Sequence, residues 1–128
     1  MTGAHSVEKI GGTSMAATET LLDNVLIAGR TGAELYQRIF VVSAFAGMTD
    51  LLLENKKSGT PGVYGRFVAD DSAEGWRNAI GLVREAVRDR NAAMFARTKS
   101  RAEADAFIEQ RIRAVSACLE DLARLRSH

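Results

Sequence analysis

Near the start of the chain, Val7-Glu8-Lys9-Ile10-Gly11-Gly12-Thr13-Ser14-Met15 sets one cation, two adjacent glycines and two hydroxyls between an extended run and a helical one. Glycine lets an anion approach the main chain closely, and it can take the unusual φ values of an anion-binding nest. Lys9 adds a full positive charge, and Thr13 and Ser14 can donate hydroxyl hydrogen bonds. These groups suit phosphate oxygens. The spacing is neither G-x-x-x-x-G-K-[ST] nor G-x-G-x-x-G, the two familiar phosphate-loop patterns. A second stretch, Ser43-Ala44-Phe45-Ala46-Gly47-Met48-Thr49, repeats the order of strand, small residues, hydroxyl and helix. Each feature has a plain structural explanation when taken singly. Gly-Gly after a strand makes a tight turn, a lysine at a strand end is exposed, Ser43 ends a strand, and Thr49 caps a helix. Their combination is what points to an anion.

Those groups need elements to hold them. Residues 6–10 read as a short strand. Leu21, Leu22, Val25 and Leu26 then fall on one face of a helix from about Met15 to Ala28. Thr13 or Ser14 can cap that helix, and Gly29 and Gly32 end it. Within Arg38 to Ala44, four consecutive apolar residues, three of them β-branched, read as a parallel strand buried on both faces. Two strands joined by a helix make a right-handed βαβ unit, whose two strand-to-helix turns lie side by side at the carboxyl ends of the strands. Ligands of open α/β sheets bind at those carboxyl ends, where helix dipoles also point. A further helix is expected from Leu51 to Lys57, closed by Ser58-Gly59-Thr60-Pro61-Gly62, and a short one over Val63 to Val68.

The second half is helical. Asp71-Ser72-Ala73-Glu74 and Ser100-Arg101-Ala102-Glu103 resemble capping boxes. The first opens a helix with Trp76, Ile80, Val83, Val87 and Met94 on one side. The second opens a helix carrying Ala104, Ile108, Val115, Leu119 and Leu122, running to about Arg126. The fold class is therefore α/β: a βαβα start with parallel strands, followed by a long helical hairpin. Trp76 and Met94 sit at core spacing, and Tyr64, Arg66 and Phe67 read as a surface turn.

Composition sets the frame. With 128 residues the chain fits one domain, and its net charge of +1 gives no field that calls for nucleic acid or a membrane surface. Its single cysteine, Cys118, cannot form an internal disulfide, which suits a reducing cytoplasm, and it falls in an apolar helical stripe. No apolar run spans a bilayer, and no secretory signal is visible. His5 and His128 are too isolated to form a metal pair, so no residue is assigned to a metal.

"VEKIGGTSM" followed by "IFVVSAFAGMTDLLL" resembles the start of an aspartokinase, a member of the amino acid kinase (carbamate kinase-like) fold. That family opens on Lys-Phe-Gly-Gly-Thr-Ser and continues with Val-Val-x-Ser-Ala-x-x-Gly-x-Thr-Asn. The longer run "RIFVVSAFAGMTDLLLENKKSGTPGVY" is similar to the branch tied to ectoine synthesis. The resemblance covers about Val7 to Val68. It implies that Lys9, as the catalytic cation, with Gly11, Gly12, Thr13 and Ser14, holds ATP phosphates. It implies that Ser43, Ala44, Gly47 and Thr49 form the L-aspartate pocket. The implied reaction makes 4-phospho-L-aspartate and ADP from ATP and L-aspartate, with Mg2+.

Three residues depart from the family pattern: Ile10 for Phe, Glu8 at a position that is apolar in many members, and Asp50 for Asn, the last expected to act as a cap. No Gly-Glu motif follows the long helices, and two strands make a small sheet. The resemblance thus implies that 1–128 is the N-terminal portion of an amino acid kinase domain. The nucleotide-base half and the regulatory ACT domains would be absent, and the chain would be weak or inactive alone. A homodimer or homo-oligomer is expected, and because an unpaired sheet edge invites self-association, a dimer of this chain need not be the natural one. Two other readings stay open: a kinase of the same fold with a different acyl acceptor, and a non-catalytic module that binds a partner protein.

Overall fold

The computed structural model describes residues 5–69, 73–95 and 99–127. The chain is mixed α/β, mostly helical, with two parallel strands. It divides into two compact units, Met1–Ala46 and Gly47–His128.

In the first unit, β1 (Ser6–Ile10) pairs in parallel with β2 (Arg38–Val42). The register runs from Ser6 beside Arg38 to Ile10 beside Val42. The ladder continues past the strand ends, because Ser43 N–H donates to Ile10 C=O at 3.1 Å. The connection is less regular than its period suggests. It passes through a 3-10 turn (Ser14–Ala16), a single α-turn α1 (Thr18–Leu21), a π-helical segment (Leu22–Ile27) and a second 3-10 turn (Gly32–Leu35). The widened segment closes with Ala28 N–H donating to Asp23 C=O at 2.9 Å, five residues back. The left-handed ending is shared by Ala28 (φ 47°) and Gly29 (φ 71°) instead of resting on glycine alone. The expected cap is also absent: Thr13 precedes the first turn without a side-chain capping bond.

The apolar face of this connection holds Leu21, Val25 and Leu26 as read, but not Leu22. Ile10, Met15 and Leu21 are buried, with Val25, Leu26, Phe40 and Phe45 packed against them. β2 is not buried on both faces as expected. Val7, Ile39 and Val41, which share the opposite sheet face, are 67%, 51% and 51% exposed. A single crossover covers only one face of a two-stranded sheet.

The second unit holds α2 (Met48–Leu52), α3 (Val63–Ala69), α4 (Ala73–Phe95) and α5 (Lys99–Arg126). α2 begins and ends earlier than the expected 51–57. Gly47 precedes it in the left-handed region (φ 84°), so neither Thr49 nor Asp50 is its cap; Asp50 lies inside the first turn. The helix stops because the chain folds into a tight loop. Asn55 Oδ1 accepts the amides of Lys57 and Ser58, both at 3.0 Å, and Glu54 bridges to Pro61. Gly62 is required by close approach. A Cβ there would sit 2.4 Å from the carbonyl oxygen of Leu51.

Val63, Phe67, Trp76, Ala79, Ile80, Val83, Val87 and Ile112 form the core of this unit. Phe67 and Trp76 meet edge to face at 6.0 Å. Phe67 is thus a core residue, while Tyr64 is exposed. Ile108, Leu119 and Ala123 complete the inward stripe of α5, whereas Val115 and Leu122 are exposed, and Cys118 is exposed as well. α4 and α5 run antiparallel, aligned by three polar ties: Arg77 to Glu120 at 2.7 Å, Arg84 to Glu109 at 2.9 Å and Asn91 to Asp105 at 2.9 Å. Residues 71 and 72 of the first capping box lie outside the described residues. Ser100 of the second lies within α5 instead of at its cap.

Candidate phosphate-binding site

Strand alternation decides where the lysine points. Ile10 is buried against the crossover, so its neighbour Lys9 belongs to the opposite face and is exposed. Among the described residues no ion pair or hydrogen bond engages its side chain. After Ile10 the chain turns through Gly11 and Gly12, half-buried, to Thr13 and Ser14, both exposed. The carbonyls of this turn are used: Gly11 accepts from Met15 N–H at 3.0 Å, Thr13 from Ala16 at 3.2 Å and Ser14 from Ala17 at 3.3 Å. Among the described residues no hydrogen bond reaches the amides of Gly11, Gly12, Thr13 or Ser14. Four consecutive donors therefore remain for something outside the chain.

The glycines do not form the expected nest. Neither has a positive φ, and a Cβ at either would meet nothing within 4 Å. The chain's own packing gives no reason for two bare positions here. The helix-dipole contribution is also smaller than expected, since α1 is one turn long and begins four residues beyond Ser14. What the loop offers is unpaired amides, hydroxyls and one free ammonium.

Ser43 joins this loop. Its amide bond to Ile10, continued in register, sets it beside Gly11 on the face that carries Lys9. Ser43 and Ala44 are exposed. The first unit thus brings together Lys9, Gly11, Gly12, Thr13, Ser14, Ser43 and Ala44 at the carboxyl ends of its two strands. Gly47 and Thr49 belong to the second unit. There Thr49 is exposed and lines a groove of about 470 Å³ with Leu53, Glu54, Lys56, Tyr64 and Val68. Among the described residues no cluster of His, Cys, Asp or Glu is arranged to hold a metal ion, and no helix is long and apolar enough to cross a membrane.

One residue near the site was invisible to pattern. Arg38, at the start of β2, has a side chain only 4% exposed. It grips both oxygens of Glu8 at 2.6 Å and donates to the carbonyls of Leu26 at 2.5 Å and Val25 at 2.8 Å. Its guanidinium also lies 4.6 Å from the centre of the Phe40 ring. This network explains why a carboxylate occupies a strand position facing the covered side. The hydrogen bonds from Arg38 hold Glu8 below the ordinary carboxylate pKa, against the opposing effect of desolvation. The available signal was the pair Glu8 and Arg38, but their separation of 30 residues gave no cue to the pairing.

Comparison with known proteins places this geometry in context. No family model matches the chain, and no solved structure matches it. Among curated proteins, the chain is similar to the aspartate kinase Ask_Ect of Stutzerimonas stutzeri strain A1501. The two are 51% identical over 121 residues, which is 94% of this chain and 25% of that protein. The chain therefore spans about a quarter of the length of the curated relative it matches. The resemblance to the aspartokinases is borne out over 94% of the chain, which reaches into the helical half where the motifs were silent.

Proposed function

We propose that this chain is the N-terminal part of an aspartate kinase of the amino acid kinase fold, and that the loop from Lys9 to Ser14 holds the phosphates of ATP. The observation that carries the proposal is the row of unpartnered amides at Gly11–Ser14, next to a free Lys9 and beside Ser43. Similarity to an aspartate kinase over 94% of the chain supports the same reading.

In the proposed reaction an oxygen of the aspartate side-chain carboxylate attacks the γ-phosphorus of ATP. The bond from that phosphorus to the bridging oxygen breaks, and ADP leaves with the electron pair. A side-chain carboxylate has a pKa near ~3.9, so it is ionised at neutral pH and needs no general base. The obstacle is anion meeting anion. Lys9 neutralises charge on the transferring group, and the amides stabilise phosphate oxygens by charge-assisted hydrogen bonds. Small side chains leave the main chain accessible, which accounts for Gly11 and Gly12. The motif assigns Ser43, Ala44, Gly47 and Thr49 to L-aspartate. Magnesium enters with ATP as the substrate complex. The relative's name supports the branch serving ectoine synthesis, and action in the cytoplasm as a homo-oligomer completes the proposal.

A titration of ATP–magnesium into the chain, followed by thermal denaturation, tests the phosphate role. Saturating ligand at a hundred times Kd stabilises by about 2.7 kcal/mol. Lys9→Ala should abolish the upward shift in Tm. A non-catalytic protein-binding module predicts no shift in either protein.

A further inference from the structure

We propose that Arg38 is a positioning residue for the phosphate loop. By pairing with Glu8 on the covered face, it neutralises the one carboxylate adjoining Lys9 and leaves the Lys9 charge unopposed. The inference rests on the phosphate reading above. It adds a residue that neither the motif nor the comparison assigns.

The geometry is specific. Glu8 precedes Lys9 in β1, and their side chains leave opposite faces of the strand. An unpaired carboxylate there would oppose the binding of a polyanion by long-range repulsion. Arg38 meets it through two parallel N–H···O bonds of 2.6 Å, the strongest geometry available to such a pair. The remaining donors of the same guanidinium close the carbonyls at the end of the π-helical segment. β1, β2 and the crossover are thus tied at one point, one residue from Lys9. A lysine at position 38 could not span all four acceptors, because the planar fork is what reaches them. Arg30, which donates to Val25 C=O at 3.4 Å, is a second and weaker positive influence on Glu8.

A structural tie and an electrostatic mask predict opposite outcomes for Glu8. If the pair serves only to hold the sheet, removing either partner weakens the loop and lowers phosphate affinity. If Arg38 masks Glu8, removing Arg38 lowers affinity and removing the Glu8 charge does not. The probe is inorganic pyrophosphate, titrated calorimetrically into the full 128-residue chain, with circular dichroism reporting folding. Exposing one carboxylate near a surface, its repulsion screened by solvent and salt, implies about a three- to tenfold loss of affinity for Arg38→Met. Glu8→Gln is expected to match or exceed the unaltered chain, and Arg38→Met with Glu8→Gln to recover the loss. Failure of the double variant to recover, with both proteins folded, overturns the inference. Should Arg38→Met not fold, Glu8→Gln decides: a fall of fivefold or more overturns the inference, and unchanged or stronger binding supports it. Lys9→Ala separates the two levels. Lys9-dependent binding that Arg38→Met leaves unchanged ends this inference alone. No pyrophosphate binding by the unaltered chain ends the phosphate reading and this inference with it.

Discussion

Gly12→Ala separates the needs of the fold from the needs of the ligand. The backbone at Gly12 lies outside the left-handed region, and an added Cβ meets nothing within 4 Å. Alanine therefore fits the folded chain, and it restricts the unfolded one. At a compatible position that substitution stabilises by about 0.4–1 kcal/mol. For a chain of this size the gain corresponds to a rise in Tm of roughly 2–4 °C. The ligand sees the reverse. A methyl group over the open side of the loop keeps a phosphate oxygen from the neighbouring amides. Losing one hydrogen bond to a charged group costs about 1.5–3 kcal/mol, a weakening of roughly tenfold to more than a hundredfold in Kd. Thermal denaturation and pyrophosphate calorimetry on the same sample read both effects. A fall in Tm of several degrees, or an affinity equal to that of the unaltered chain, would refute the reasoning that these glycines exist for a ligand.

Other expectations follow from the second unit and from the ion pairs. Ile80→Ala, at a core position 5% exposed, should cost about 2–5 kcal/mol and lower the denaturant midpoint in an equilibrium unfolding experiment. Gly62→Ala should destabilise where Gly12→Ala does not, because its Cβ would lie 2.4 Å from a main-chain oxygen; a Tm equal to that of the unaltered chain would contradict the close approach. Glu8 and Glu120 are held below the usual carboxylate value of 4.5 chiefly by hydrogen bonds from Arg38 and Arg77; at Glu109 desolvation pushes upward, but Arg113 and Arg84 outweigh it. A lowered folded pKa gives stability that is present above the unfolded value and lost as pH falls through the folded one. Urea midpoints should therefore be level near neutrality and decline below about pH 4.5, and Glu120→Gln with Glu109→Gln should flatten that decline.

Much of the architecture was legible because its periodic signals were strong. Trp76, Ile80, Val83 and Val87 recur at helical spacing over a long segment and form the core as read, whereas Met94, expected on the same side, is only half-buried and not part of it. The parallel pairing of β1 and β2 followed from two short apolar runs joined by one helical crossover. Elements set by local competition were less legible. Leu51-Leu52-Leu53 suggests a helix of any register, and only the Asn55 turn shows why α2 stops at Leu52. In α5 the evenly spaced apolar residues fit more than one stripe, and the antiparallel ties to α4 select Ile112 over Val115. Within the candidate site, the residue types were visible, but the source of their chemistry was not. Gly11 and Gly12 suggested an unusual backbone, whereas the structure shows an ordinary backbone with free amides. Arg38 was read only as the start of a strand, yet its hydrogen-bond partners come from two other segments, β1 and the π-helical segment, that only folding assembles.

The central claim is that the loop led by Lys9 receives phosphate on its bare amides. Amide-resolved NMR during an ATP–magnesium titration addresses it most directly. The account predicts saturable shifts concentrated at Gly11, Gly12, Thr13, Ser14 and Ser43, and their loss in Lys9→Ala with the remaining spectrum unchanged. Shifts confined to α4 and α5, or shifts at the loop that persist without Lys9, would contradict it.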